Sequence, residues 1–245
     1  MDKALYTSLS GATRAMHAQS MHANNLANIS TDGFRADYLN AVSSVVEGKG
    51  ADTRIQVTNG EHWTDLSAGS LSHTGRDLDL AIQGEGWLTL VDEQGNEAYT
   101  REGSFYPDAD GVLRNARGLM VAGEGGAIQL PDYEQLTIGD DGRLSVVMNG
   151  TAGDQVMMVD VLKLANPAAA DLSKGLDGLF RLAEDVVADA DPDVVVVSGY
   201  LESSNTNAVA EMVALTNLSR QFEMQLKMMQ SVEQVAQAGD ELLRR

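Results

Sequence analysis

The stretch ANNLANISTDGFR, residues 23–35, is where this chain of 245 residues changes from a helical repeat to a strand repeat. Upstream of it, apolar or small residues recur in steps of four and three, the spacing that places them on one helix face. Within it, Asn, Ser, Asp and Gly are residues that end helices and form turns. We therefore predict a helix over about 3–27. Its apolar face comprises Leu5, Leu9, Ala12, Met16, Ala23 and Leu26.

The C-terminal segment has the same period over a longer stretch. From about 208 to 243, apolar residues follow steps of four and three, and Asn207 occupies the expected N-cap position. A second apolar row makes the face wider than a two-helix seam requires, so we expect this helix to have more than one neighbour. The first row comprises Met212, Leu215, Phe222, Leu226, Met229 and Ala236. The second row comprises Val209, Val213, Met228, Val232 and Val235.

Between these helices the hydrophobic period changes to two. Short apolar segments are separated, roughly every ten residues, by turn sequences such as GEG, DADG and DDG. This pattern is typical of antiparallel hairpins in a sandwich or barrel-like domain. The predicted fold is therefore mainly β with terminal α-helices that pair in a coiled-coil-like assembly domain. The predicted segments are 1–35 (helical assembly segment), 36–204 (β-rich outer domain) and 205–245 (helical assembly segment).

Charge is distributed unevenly along the chain. The net charge is −19; residues 1–40 carry three acids and three bases and residues 205–245 carry five acids and four bases, so the ends sum to −1 and the middle to −18. Near-neutral ends can pack against each other without repulsion, whereas an acidic middle suits a solvated surface. Nucleic acid is disfavoured as a partner because binding phosphates requires clustered Lys and Arg. There is no cysteine, no apolar run of membrane-spanning length and no signal-peptide pattern.

No residue pattern for catalysis, a cofactor or a metal stands out. The GEG at 84–86 lacks the third glycine of a dinucleotide turn and precedes a predicted strand. The DADPD run at 189–193 begins like a calcium loop, but Val194 replaces the turn glycine and Tyr200 the bidentate glutamate. The four histidines are too scattered for a metal cluster, so we predict no enzymatic activity, metal or cofactor. They are His17, His22, His62 and His73.

Residues 23–35 resemble the N-terminal signature of the flagellar rod and hook proteins, in which a helix ends in ANNLAN and turns through ST-x-GF-[KR]. Three further segments agree with that family: TGRDLDLAIQGEGW at 74–87, YTREGSF at 99–105 and GYLESSNTNAV at 199–209. We expect the asparagines of ANNLAN to hydrogen-bond backbone groups where the helix stops. The motif residues are Asn24, Asn25, Leu26, Ala27, Asn28, Thr31, Gly33, Phe34, Leu201, Glu202, Ser204, Asn205 and Asn207.

The resemblance implies a structural subunit of the basal-body rod in the periplasm, built from terminal helices that self-assemble into the drive shaft around the export channel. It implies as partners copies of the chain itself, other rod proteins and the flagellar type III export apparatus. It implies no nucleic acid, membrane insertion or small-molecule substrate. The opening MDKALYTSLSGA and the short length are most similar to a proximal-rod protein. The alternatives are a distal-rod or hook protein, or a secreted β-domain adhesin or binding protein with a coiled-coil stalk.

Overall fold

The computed structural model contains two long helices with antiparallel strands between them, which confirms the predicted fold class. Helix α1 spans Asp2–Ala27 and helix α2 spans Ala208–Leu243, close to the predicted bounds. Neither helix, within the described part of the chain, is apolar enough over sufficient length to cross a membrane. The structure describes residues 2–45, 55–92, 94–148, 156–183 and 186–243.

The strands lie between the two helices in sequence. They are β1 Asp37–Val45, β2 Ile55–Thr64, β3 Leu71–His73, β4 Leu80–Gln83, β5 Trp87–Val91, β6 Glu97–Thr100, β7 Phe105–Pro107, β8 Leu113–Asn115, β9 Met120–Gly123, β10 Gly126–Ala127, β11 Tyr133–Ile138, β12 Arg143–Met148, β13 Val156–Val161, β14 Leu164–Ala165, β15 Ser173–Lys174, β16 Phe180–Arg181, β17 Val195–Ser198 and β18 Tyr200–Glu202.

The chain forms two compact units whose boundaries differ from the predicted segments. The first comprises Met1–Ile29, Ala36–Asp65 and Thr206–Arg245, and the second comprises Ser30–Arg35 and Leu66–Asn205. The hairpin of β1 and β2 thus belongs with the helices, whereas the predicted segments include it in the outer domain of residues 36–204. A period of two identifies a strand but does not show which element the strand packs against.

The first unit contains α1, α2 and the β1–β2 hairpin. The two strands pair antiparallel from Asp37 opposite Thr64 to Val45 opposite Ile55, with an irregularity after Leu39. Stacked rings of Tyr38 and Trp63, with centroids 5.3 Å apart, join the strands near the open end of the hairpin. The hairpin therefore has its own cross-strand contacts where it meets the helices.

The second unit is built on a sheet with the order β15-β16-β6-β5-β9-β8-β7, to which β10 adds beside β9 and β14 beside β5. A second sheet has the order β11-β12-β13. In addition, β4 pairs with β17 and β3 pairs with β18. One continuous core lies among these strands, because their inward side chains are large and apolar. Its fully buried members include Leu80, Leu88, Leu90, Phe105, Leu113, Ile128 and Leu144.

The sequence predicts one strand over residues 156–164 and one over residues 194–201, but each of these segments is divided in two. The segment 156–164 contains β13 and the start of β14, and the segment 194–201 contains most of β17 and β18. Gly199 separates the latter pair with a φ of 80°, a conformation that β-structure does not use and glycine adopts readily. Very short strands such as β15 and β16 were not predicted, and neither was β1, whose apolar residues do not alternate regularly with polar ones.

Candidate assembly interface

Helix α1 buries small side chains and exposes large ones. Ala12 is buried in this chain, as are Ser8 and Ala15, which were not predicted for the apolar face. By contrast, Leu9 is 52% exposed and Met16 is 57% exposed. Of the other predicted face residues, Leu5 and Ala23 are exposed and Leu26 is half-buried. Leu9 and Met16, two large residues of the predicted face, are therefore mostly uncovered in the isolated chain.

Part of the apolar stripe predicted for helix α2 is half-buried in the chain, and the rest is exposed. One set of half-buried side chains follows heptad spacing: Leu215, Leu218, Phe222, Gln225, Met229, Val232 and Ala236. Met212 is 55% exposed and Leu226 is 40% exposed, although both belong to the first predicted row. The second predicted row is exposed apart from Val232. We call Leu5, Leu9 and Met16 of α1, with Met212, Leu226, Val209, Val213, Met228 and Val235 of α2, the outward apolar rows.

The half-buried side of α2 faces α1. A Cβ atom added to Gly11 would lie 3.0 Å from Cδ of Gln225, so the two helices approach closely at this point. Gln225 lies two heptads after Glu211, which contacts α1 as described below, so both residues occupy one face of α2. The small residues of α1 thus receive the larger side chains of α2. The contact between α1 and α2 covers only part of each helix surface. The apolar stripe predicted for α2 is wider than this contact, so part of it lies outside.

A polar cluster lies in the first unit where α1, α2 and β1 meet. His22 of α1 pairs through Nδ1 with Oε2 of Glu211 of α2. Asn25 donates from Nδ2 to the other Glu211 oxygen at 3.4 Å, and both Asn25 and Glu211 are buried. Burial raises the pKa of Tyr38 beside them, and the negative charges of Glu211 and Asp65 raise it further. We call His22, Asn25 and Glu211 the polar clasp.

The clasp was not predicted from the sequence. His22 and Glu211 are 189 positions apart, so no local pattern pairs them. One signal was available: Ser8, Ala15 and His22 follow a strict heptad, so His22 continues the buried small-residue seam. A histidine on a seam needs a polar partner, and Glu211 is the acidic residue in the first turn of α2.

The asparagines of ANNLAN have separate roles. Asn28 donates from Nδ2 to the carbonyl of Asn24 at 2.9 Å, which caps the end of α1 as predicted. Asn25 instead exchanges two hydrogen bonds with the backbone of Asp37: its Oδ1 accepts from the amide at 3.0 Å and its Nδ2 donates to the carbonyl at 2.9 Å. The side chain of Asn24 is exposed. The middle asparagine thus fixes the start of β1 to the helix.

The backbone around position 33 of the motif requires a glycine there. Its φ is 68°, and an added Cβ would lie 2.2 Å from the carbonyl carbon of Arg101. Its amide donates to the carbonyl of Glu202 at 2.7 Å, so a side chain would separate two hydrogen-bonded segments. Gly33 therefore satisfies two requirements: a left-handed backbone conformation and the close approach of a neighbouring backbone segment.

The carboxylate of Glu202 is the centre of a buried ionic cluster in the second unit. Oε1 lies 2.6 Å from Nη2 of Arg35, and Oε2 accepts from Nη1 of Arg101 at 3.0 Å. Oε1 also accepts from the amide of Gly69 at 2.8 Å. Burial lowers the pKa of Arg101, an effect that the Glu202 carboxylate opposes. We call Arg35, Arg101 and Glu202 the ionic cluster; its two arginines were not predicted as site residues.

Other motif residues surround this cluster. Asn205 donates from its backbone to the carbonyl of Phe34 at 3.3 Å and from Nδ2 to the carbonyl of Ser67 at 3.1 Å. Nζ of Lys174 lies 4.1 Å from the centroid of the Phe34 ring. Thr31 accepts from the Phe34 amide, while Leu201 and Ser204 are half-buried beside Glu202 in sequence. The structure thus brings motif residues near Phe34 and motif residues near Glu202 together, although they lie far apart in the sequence.

Asn207 caps α2 as predicted. Its Oδ1 accepts from the amides of Val209 at 3.0 Å and Ala210 at 3.1 Å, and α2 begins at the next residue. The helix thus starts at Ala208, in agreement with the predicted start at about 208. Ala27, the last residue of α1, is exposed.

Glu102, next to Arg101, gives the second unit a pH-dependent stability. Burial raises the pKa of Glu102; Arg117 opposes this and Asp32 adds to it. Because the folded chain then binds this proton more tightly than the unfolded chain, stability is lost as pH rises through the window above the ordinary value of 4.5. We expect Glu102→Gln to raise the denaturant midpoint at neutral pH and to flatten its decline with pH.

The measurement is a series of denaturant titrations between about pH 4 and pH 7. Asp132→Asn, at an exposed acid of the same unit, is the control and should leave the slope of midpoint against pH unchanged. A midpoint for Glu102→Gln that falls below that of the unsubstituted chain at neutral pH would show that the carboxylate is net stabilising, contrary to the burial effect.

The DADPD run borders an open groove of about 800 Å³, in which Asp189 and Asp191 lie beside apolar residues such as Leu182 and Val186. Within the residues that the structure describes, His, Cys, Asp and Glu form no group of three placed to hold a metal ion.

Three family models match the chain at separate places. They are "Flagella basal body rod protein" over residues 5–35, "Flagellar hook protein FlgE/F/G D1 domain" over residues 81–146 and "Flagellar basal body rod FlgEFG protein C-terminal" over residues 197–242. The first includes most of α1 with its turn, and the last includes the Glu202 segment with most of α2. The matched regions thus include both terminal helices and part of the second unit.

Whole-chain relatives agree with these models. The chain is 40% identical to the flagellar basal-body rod protein FlgF of Escherichia coli (strain K12) and 38% identical to that of Salmonella typhimurium (strain LT2), with 99% of each chain covered. It is 28% identical to the rod protein FlgG of Bacillus subtilis (strain 168), with 97% of each chain covered. With the terminal helices, the ANNLAN turn and the Glu202 segment all in place, the chain belongs to the flagellar basal-body rod protein family.

Proposed function

We propose that this chain is a structural subunit of the basal-body rod that joins neighbouring subunits through its outward apolar rows. The rows supply the main argument: α1 and α2 each bury part of their surface against each other and leave large apolar side chains exposed. Fully burying one such side chain contributes about 1.5–3 kcal/mol. Contacts repeated along both helices therefore provide a strong drive to assemble.

The partners of the rows are copies of the chain and other rod proteins. The two terminal segments sum to a charge of −1, so helices from neighbouring subunits can pack side by side without strong repulsion. The remaining −18 lies in the middle of the chain and suits contact with water. A tube of such helices would enclose the export channel and transmit torque as a drive shaft. Delivery through the flagellar type III export apparatus places the subunit in the periplasm.

Site-specific photo-crosslinking tests this function. A photoreactive amino acid at Met212, expressed in cells that build flagella, is expected to join the chain covalently to a second copy or to another rod protein. The same variant in cells with an inactive export apparatus is the control, because no rod forms there. Basal bodies that contain the variant but yield no intermolecular product after illumination would contradict this role for the outward rows.

A further inference from the structure

We propose that the polar clasp sets the register of α1 against α2 and thereby decides which side chains form the outward apolar rows. This inference rests on the proposed function, since it concerns the surface through which the subunit joins the rod. His22, Asn25 and Glu211 are positioning residues in this proposal, because they act through the helices that they join.

The rest of the helix seam specifies register weakly. On α1 the buried side chains Ser8, Ala12 and Ala15 are all small, so they interlock little with the facing helix. A slip of one heptad would replace Ser8 by Ala15 and Gly11 by Ala18, which changes the packed shape only slightly. On α2 the same slip exchanges Leu215, Phe222 and Met229, which are all apolar. Hydrophobic burial alone therefore permits more than one register.

The clasp lacks this tolerance. Glu211 is 3% exposed and its two oxygens contact His22 and Asn25. A slip of either helix by a heptad would separate these groups and leave a buried carboxylate without partners, which is strongly unfavourable. A single buried polar position is known to fix register and partner choice between paired helices, even where it adds little stability.

The clasp is also tied to the third element of the unit. The two hydrogen bonds between Asn25 and the backbone of Asp37 hold α1 to the start of β1. The Tyr38 ring, whose centroid lies 6.3 Å from that of His22, adds an edge contact beside them. Helix α1 is thus fixed at its C-terminal end to both α2 and the hairpin. The position of Leu9 and Met16 relative to the α2 rows follows from that attachment.

Cysteine crosslinking reports the register directly, since the chain has no cysteine of its own. Gly11→Cys combined with Gln225→Cys places two thiols across the native seam, where the helices approach closely. Gly11→Cys combined with Leu218→Cys or with Val232→Cys reports a slip of one heptad in either direction. In the purified chain we expect a short bis-thiol reagent to link only the first pair.

The decisive variant replaces the clasp with apolar residues, His22→Leu with Glu211→Leu. Because both partners of the His22–Glu211 pair are removed together, no buried polar group of that pair is left behind, and helix content and melting temperature are expected to be retained. Crosslinking should then spread to the Leu218 or Val232 pair, and recovery of the variant in purified basal bodies should fall at least tenfold. Glu211→Gln, which can still hydrogen-bond to His22 and Asn25, should keep the native pair and restore recovery.

Two outcomes would overturn the inference. If the double leucine variant still links only the Gly11 and Gln225 positions, the apolar seam sets the register by itself. If it loses its helix content, the clasp supports stability rather than register. The crosslinking is carried out on the purified chain without a rod, so its result is independent of the photo-crosslinking test of the proposed function.

Discussion

Leu226→Asp is expected to abolish incorporation of the chain into the rod and to leave the isolated chain folded. Leu226 is 40% exposed in the chain, so a carboxylate at this position stays hydrated in the monomer. In an assembled rod the same carboxylate would be buried among apolar side chains without a partner, at a cost of several kcal/mol. That cost recurs in every copy, so assembly rather than folding should fail.

The experiment compares two quantities for the same variant. Circular dichroism during heating gives the stability of the purified chain, and the yield of the subunit in purified basal bodies gives its incorporation. Gln234→Asp is the matched control: it adds the same charge at an exposed position, on the same face of α2 as Arg220 and Lys227. Normal incorporation of Leu226→Asp, or a large loss of monomer stability, would show that Leu226 does not lie in an interface between subunits.

A substitution at Phe222 distinguishes less clearly between packing within the chain and packing between subunits. The side chain is half-buried and shares the heptad face of α2 that packs against α1. A Phe222→Ala substitution would therefore weaken the chain's own helix pair as well as any contact with a neighbour. The exposed members of the outward rows are better probes, because their side chains have little to lose within the monomer.

Glu202→Gln is expected to lower the free energy of unfolding of the second unit by about 3–5 kcal/mol. The substitution keeps the side-chain shape but removes the negative charge between Arg35 and Arg101. Both guanidinium groups are buried, so neither can regain its hydration without opening the structure. We therefore expect the motif glutamate to stabilise the fold of the second unit.

Trp87 offers a local probe for this prediction. Its ring is buried, and the guanidinium carbon of Arg101 lies 5.4 Å from the ring centroid. The chain has two tryptophans, so Trp63→Phe leaves Trp87 as the single reporter. In that background, the Trp87 fluorescence transition should move to much lower denaturant for Glu202→Gln. Glu134→Gln, at an exposed acid, should leave it unmoved, and equal midpoints for both variants would contradict the role given to the ionic cluster.

The elements whose signals are local can be predicted from the sequence. The bounds of α2 follow from a long apolar period and from Asn207, whose side chain bonds to amides two and three residues away. Most strands were predicted because alternation and turn residues occur within a few positions of each other. The family signature was equally visible, since ANNLAN and its turn form one continuous stretch.

Which surfaces of these elements contact each other depends on the folded structure and could not be predicted. The Glu211 carboxylate meets Asn25 across 186 positions, and Arg101 meets Glu202 across 101. Nothing in local spacing shows that Leu215 belongs to the chain's own seam while Met212, three residues earlier, is exposed. Periodicity gives the direction of a side chain around its helix axis, but not which element lies on that side. That choice depends on close packing between distant segments, which is fixed only when the chain has folded.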